Sequence, residues 1–458
     1  MASLYDIVRV YTVSAGTGSP IALGAAVPTF RTPAQAGIPD GARLSYAIED
    51  IFGGGRETGW GTYAASGQTL TRNTTSSSNV NNPISLSGQA QIYVTALAAD
   101  MGWSNTRLAK TASYTVANQD KNATVALGGA AFFTLTFGTA SGYDANFAVL
   151  VVNEDTGRGK TIALTGGATF ILWPLQSIIV FNQNNTWQTL GRGPWILTAN
   201  ANFVVDPVNG LDSNDGLASG AGNAWKTLQG AYNSIIANLY TGGFTTSVFS
   251  ASGTDTGGLL INSPWNGGGT LQFIGNTGAP DNCKITTSGH CVNINCALPG
   301  SLGVEGFQLS STGNGYCVLH SGAGQVNVAF NDYGAVGDAT SYHLYANASG
   351  ASINVLANYQ VTGGAIAHMA TSSGGVIRCN GVTCTFNTSP TNFSTAFAYS
   401  SEEGIIQSTG MTWTNKANVT GSRYSANTNS IIDTFGSGAA YFPGNAAGAV
   451  DAFGGIYA

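Results

Sequence analysis

The chain has 458 residues, too many for one ordinary compact core, and combines 63 glycines and 43% hydrophobic residues with only 8% charged ones. A disordered chain, which needs low hydrophobicity and high net charge, is excluded, and the surface must be covered by Ser, Thr, Asn, Gln and Gly, which suits strands better than helices. The formal net charge of −6 comes with no basic run, so no nucleic-acid partner is expected, and no stretch approaches 18 apolar residues, so no membrane insertion is expected.

Residues 1–100 read as short strands near 5–12, 43–49, 59–63, 68–72 and 91–95, separated by Gly, Pro, Asn and Ser clusters. They predict a small antiparallel β module. Four stretches, Asp40-Gly-Ala-Arg-Leu-Ser-Tyr-Ala-Ile-Glu-Asp, Arg56-Glu-Thr-Gly-Trp-Gly-Thr-Tyr, Thr69-Leu-Thr-Arg and Ile84-Ser-Leu-Ser-Gly-Gln-Ala, resemble an N-terminal docking module of tail-fibre and other virion proteins of bacteriophages and prophages. The first residues place charge inside any would-be signal core, so assembly in the bacterial cytoplasm is expected, and the resemblance implies residence in the virion.

Residues 101–198 read as a polar linker to about 113 and then a second β-rich segment. Tyr114-Thr-Val-Ala-Asn, Phe147-Ala-Val-Leu-Val-Val-Asn-Glu-Asp and Trp173-Pro-Leu-Gln-Ser-Ile-Ile-Val-Phe resemble β-sandwich-like modules of phage tail proteins. The run 147–152 is apolar on both faces, which predicts a strand buried in the module or in a subunit contact.

From residue 199 onward the pattern changes. An Asp-rich turn is followed by the chain's one helical pattern, near 225–238, with Leu228, Ala231, Tyr232, Ile235 and Ile236 on one face. This resembles the start of pectin-lyase-like β-helices, where such a helix covers the open end of the solenoid. Apolar starts then recur at Leu302, Val326, Ile353, Ile377, Ile405 and Ile431, spaced 24, 27, 24, 28 and 26 residues apart. A second series precedes each, from Tyr316 to Arg423. A unit with at least two short strands cannot bury its apolar positions alone, so the units must stack. The predicted fold is all-β: small N-terminal β modules (1–100 and 101–198), then a right-handed parallel β-helix (199–458).

Candidate chemistry is sparse. Polysaccharide hydrolysis needs two carboxylates on one exposed face, and Glu305 with Asp332 is the pair the repeat brings nearest; Glu402 and Glu403 read as a solvated turn. A lyase would need a base with a charge partner, which no rod lysine or arginine has in sequence. Asp206, Asp212, Asn214 and Asp215 have the oxygen spacing for calcium but also that of tight turns. Cys283, His290, Cys291 and Cys296 lack the paired spacing of zinc sites. The six cysteines are expected to be buried thiols, and His320, His343 and His368 a polar stack inside or beside the core. Exposed rings among Asn, Ser and Thr suit sugar faces, which makes Trp265, Tyr333, Tyr345, Tyr359 and Trp413 the glycan-binding candidates within a wider set that includes Tyr316, Tyr342 and Tyr399.

The resemblance implies a homotrimeric virion protein that docks on other virion proteins through its N-terminal module and contacts a host surface glycan without a cofactor. Two alternatives stay open: a polysaccharide-depolymerising tailspike, whether glycoside hydrolase or lyase, and a head-attached decoration or fibre protein.

Overall fold

The computed structural model describes residues 5, 7–97, 106–336, 341–387 and 389–458, with the backbone alone at 335 and 336; the first part of the expected linker, to residue 105, falls outside them. The first module is an antiparallel sheet built on the long hairpin Arg43–Glu49 and Arg56–Ala64, with Ala90–Val94 and Arg9–Thr12 on one side and Asn73–Ser77 on the other. Alternate residues of the hairpin, such as Leu44, Tyr46 and Ile48, point into its core, as period-2 strands require.

The second module has two facing sheets with Val125, Phe137, Val149, Val151, Ile162 and Trp187 between them. Its pairing is half parallel. Arg107–Lys110, Thr124–Leu127 and Ala148–Asn153 stack in parallel in one sheet, while Tyr114–Val116, Thr134–Phe137 and Lys160–Leu164 do so in the other. Successive strands therefore alternate between sheets, as in a flattened two-sided coil, before antiparallel returns close the module. The apolar run in Ala148–Asn153 buries one face fully and the other by half, within its own sheet.

From Ala201 the chain is a parallel β-solenoid. Among the described residues it has three main sheets of ten, seven and eight strands, which begin at Ala201–Val205, Gly253–Asp255 and Leu259–Ile261. At about 4.8 Å per strand the ten-stranded sheet rises roughly 40 Å. Most coils contribute three strands, where the repeat alone showed at least two. The interior is one continuous apolar column from Trp173 to Phe442.

The one α-helix among the described residues, Leu228–Asn238, closes the column's start with Leu228, Ala231, Tyr232 and Ile235 buried. Its first turn is satisfied locally: Thr227 Oγ1 accepts from Gly230 N at 2.8 Å, and Asp212 Oδ1 accepts from the amides of Lys226 and Thr227 at 2.9 and 2.8 Å. The rod is also bolted to the second module. Asp215, fully buried, accepts from Arg158 Nη2 at 3.1 Å and from Gly159 N at 2.9 Å. Gly159 is needed there, since a Cβ would lie 2.7 Å from Ile171. Burial raises the Asp215 carboxyl, and the hydrogen bonds and Arg158 offset part of that rise. Trp173 stacks on Trp195 at 5.4 Å across the same junction.

Candidate binding surface

The sequence-predicted candidates do not converge. Glu305 ends a strand of the first sheet and Asp332 starts one of the second. Asp332 is 4% exposed and both its oxygens are engaged, by Gln308 Nε2 and Thr362 Oγ1 at 2.7 Å each. Glu305 is half-buried, and burial raises its carboxyl. Glu402 and Glu403 sit exposed in a left-handed turn. The four proposed calcium ligands are spread over separate tasks: Asp206 caps the turn at Val208 and Asn209, Asp212 caps the helix, Asn214 donates to the carbonyls of Ala221 and Ala224, and Asp215 bolts the junction. Among the described residues no three His, Cys, Asp or Glu side chains are grouped to hold a metal ion.

Burial corrects most of the glycan candidates. Trp265, Tyr333 and Tyr359 lie inside the rod at 2%, 1% and 4% exposure, because each fills the column where three sheets leave room for a large ring. Trp413 is half-buried against Phe397, Tyr441 and Phe442. Tyr345 alone of the five stands on the outer surface.

It stands in company. On the third sheet Leu319, Tyr345, Ala370, Tyr399 and Ser425 are consecutive partners on successive coils, and the residues beside them, Leu344, Ala346, Ala398 and Ser400, point inward. One corner earlier, His290, Tyr316 and Tyr342 align in the same way. Their rings are near-parallel: His290 to Tyr316 at 5.0 Å and 6°, Tyr316 to Tyr342 at 5.6 Å and 11°, Tyr342 to Tyr399 at 6.1 Å and 10°. Tyr345 tilts against Tyr316 and Tyr342 at 5.2 and 4.9 Å. Rings in face contact lie about 3.5 Å apart, so these spacings mean staggered rings, each leaving part of a face and an edge open. The small side chains of Ala367 and Ala370, opposite Tyr342 and Tyr345, leave room for Tyr342 to reach Tyr399. Close coil stacking at this corner depends on glycine: a Cβ on Gly315 would lie 1.9 Å from the Gly289 carbonyl.

Polar groups flank the ladder. His290 Nδ1 accepts from Tyr316 N at 3.1 Å, which puts the proton of the neutral ring on Nε2; burial lowers its basicity further. At this end Thr256, Thr287, Ser288, His290 and Asn293 line a groove of about 230 Å³, and Asn293 Oδ1 has no hydrogen-bond partner. At the other end Tyr345 Oη meets Ser372 Oγ at 2.8 Å, Ser372 donates to Asn347 at 2.7 Å, and Ser373 donates to Glu402 at 3.0 Å. Burial pushes Tyr316 up and Tyr342 up to about 12, and burial together with Glu402 raises Tyr345. The surface is thus neutral hydroxyl, amide and aromatic edge, with one carboxylate.

The cysteines are free thiols, buried except for half-buried Cys296. The histidines divide: His290 is on the ladder, while His320, His343 and His368 are fully inside. No protein-family model matches the chain, and neither does any curated protein or solved structure.

Proposed function

We propose that this chain is a fibre or spike component of a bacterial virion that docks through its N-terminal module and binds host surface glycan along the exterior of its rod, as a homotrimer. The observation that carries the binding half of this reading is the outward ladder of His290, Tyr316, Tyr342, Tyr345 and Tyr399, with unspent ring faces beside hydroxyl and amide groups. Sugars offer C–H faces to rings and hydroxyls to amides, and both are supplied here. The virion half rests on the resemblance of the N-terminal stretches and on a solenoid compatible with such fibres. Binding without cleavage is favoured because Asp332 is enclosed and engaged while Glu305 stands on another sheet.

The test uses the purified full chain and its double variant Tyr342→Ala, Tyr345→Ala on host cells and on their extracted surface polysaccharide. With aromatic contacts contributing about 0.5–1.5 kcal/mol each, the double variant is expected to bind roughly tenfold more weakly with an unchanged thermal transition. Unchanged binding in a folded variant would remove the ladder from the reading. Release of reducing ends or unsaturated products from that polysaccharide would install the depolymerase in its place, and a tag on the rod seen at the capsid rather than the tail would install the head fibre.

A further inference from the structure

A cleft of about 840 Å³ lies elsewhere, at the junction of the second module with the rod. One wall is the outer face of the smaller sheet of that module, where Thr134, Thr161 and Ile171 are consecutive cross-strand partners. The other is the outward stripe of the capping helix, Gln229, Asn233 and Ala237, four residues apart and so on one face. The walls are fixed relative to each other by the Arg158–Asp215 pair, the Gly159 amide and the Trp173–Trp195 stack, so the cleft is preformed.

Its charge differs from that of the ladder. The guanidinium of Arg192 lies over the Phe170 ring at 4.6 Å and donates from Nη2 to Asn238. Among the described residues it forms no ion pair; the one carboxylate in the lining, Asp212, is taken up by the amides of Lys226 and Thr227 and by the Thr227 hydroxyl. Arg192 is exposed to solvent, and the desolvation it does undergo lowers its basicity. A planar fork with free donors, an aromatic face beneath it, and amide and hydroxyl walls together fit one ligand class: a sugar ring that carries an anionic carboxylate.

We infer that this junction cleft is a second binding site, separate from the ladder, that takes an acidic sugar unit of the uronic-acid type with its carboxylate on Arg192 and its ring against Phe170 and the helix stripe. The ladder, with a carboxylate and no cation, is suited to neutral sugar; the cleft is suited to the acidic unit of the same or another chain.

The test is titration of the full chain with D-glucuronate, D-glucose and acetate, followed by calorimetry or saturation-transfer NMR. Glucuronate is expected to bind at least tenfold more tightly than either of the others, and Arg192→Gln to weaken it roughly tenfold to a hundredfold, the worth of a charge-assisted hydrogen bond. Asn233→Ala, on the solvent side of the helix, is expected to weaken it severalfold without touching Arg192, and Tyr342→Ala to leave it unchanged. Equal affinity for glucose would overturn the role of Arg192, and equal affinity for acetate would overturn the sugar. No detectable glucuronate binding, or binding lost in Tyr342→Ala but kept in Arg192→Gln, would overturn the site, whatever the ladder does.

Discussion

In the N-terminal module a fully buried ion pair joins Arg72 to Glu57, and five hydrogen bonds converge on that one carboxylate, from Arg72 Nε and Nη2, Tyr46, Thr74 and the Ile84 amide. Inside the coils of the rod, fully buried polar rings are arrayed along the axis instead: His343 Nδ1 faces His368 Nδ1 at 3.0 Å, and His368 Nε2 faces Tyr359 Oη at 3.0 Å. The difference follows from topology. An antiparallel sheet closed by hairpins gathers side chains from several strands at one point, where they can enclose a charge. A solenoid places like positions above one another, so a charge in one coil would meet the next, and only groups that can donate and accept by turns stack well inside it.

Breaking the pair should therefore have the largest effect and the most local one. Arg72→Ala leaves Glu57 buried without its cation, a defect that costs about 3–5 kcal/mol. Burial by itself raises the Glu57 carboxyl; Arg72, the Ile84 amide and the hydroxyls outweigh it and hold the group below its usual range. Calorimetry of the full chain should show the transition of the N-terminal module fall steeply while that of the rod stays in place. A joint shift of both transitions would mean that the two regions unfold as one.

Acid should separate the regions in the opposite order. All four histidines lie at residue 290 or beyond. Burial pushes His343 down to about 3, and burial with the adjacent His343 lowers His368. Both are neutral when folded, whereas an unfolded imidazole takes up a proton near pH 6.5. Between those limits the unfolded chain binds more protons, so rod stability falls as pH drops below about 6.5, by about 2 kcal/mol at pH 5 for His343 alone, with His368 adding in the same direction. Glu57 has its folded value lowered from 4.5, so its contribution is kept above that pH and lost below it. The rod should weaken first between pH 6.5 and 5, the N-terminal module only in stronger acid, and His343→Phe should flatten the rod's slope. A rod transition insensitive to pH in that window would contradict the buried neutral pair.

The same contrast explains what the sequence made legible. The hairpin strands, the solenoid and the single helix could be read because period-2 and coil-length spacing are local signals. Register was harder. Starts at Ile377 and Ile405 look equivalent, yet Ile377 pairs with Ile406 and Ile405 with Val376, a one-residue slip that exchanges inner and outer faces. In the third sheet Val318, Leu344 and Met369 are the true partners, and this puts His343 and His368 together while His320 pairs opposite Ala346 instead. Residue type alone therefore does not separate inner from outer rings, and Trp265, Tyr333 and Tyr359 are internal. The signal that could have found the ladder was there, in the aromatic residues that open the segments at Tyr316 and Tyr342, once the turn glycines at Gly289 and Gly315 were used to set the register. No spacing rule announces the junction cleft, because its walls come from segments far apart in the chain, 134–171 and 229–237.

The smallest effect probes how far a local loss travels in each architecture. Thr227 Oγ1 receives the Gly230 amide at the head of the capping helix and donates to Asp212 at 2.9 Å. Thr227→Ala should cost about 1 kcal/mol, the ordinary worth of such a cap. In a solenoid each coil touches only its neighbours, so that loss should stay near the capped end. Amide exchange is expected to quicken in Leu228–Asn238 and Ala201–Val205 and to remain unchanged in Ile431–Asp433, ten-stranded sheet notwithstanding. In the N-terminal module Ala90–Val94 and Asn73–Ser77 pair directly with the central hairpin and Arg9–Thr12 reaches it through Ala90–Val94, so a loss of similar size, such as Thr74→Ala beside Glu57, should spread over all its strands. Uniform quickening of the rod in Thr227→Ala would show that its coils are coupled as tightly as that hairpin, and the separation drawn between the two regions would then be one of shape rather than of cooperativity.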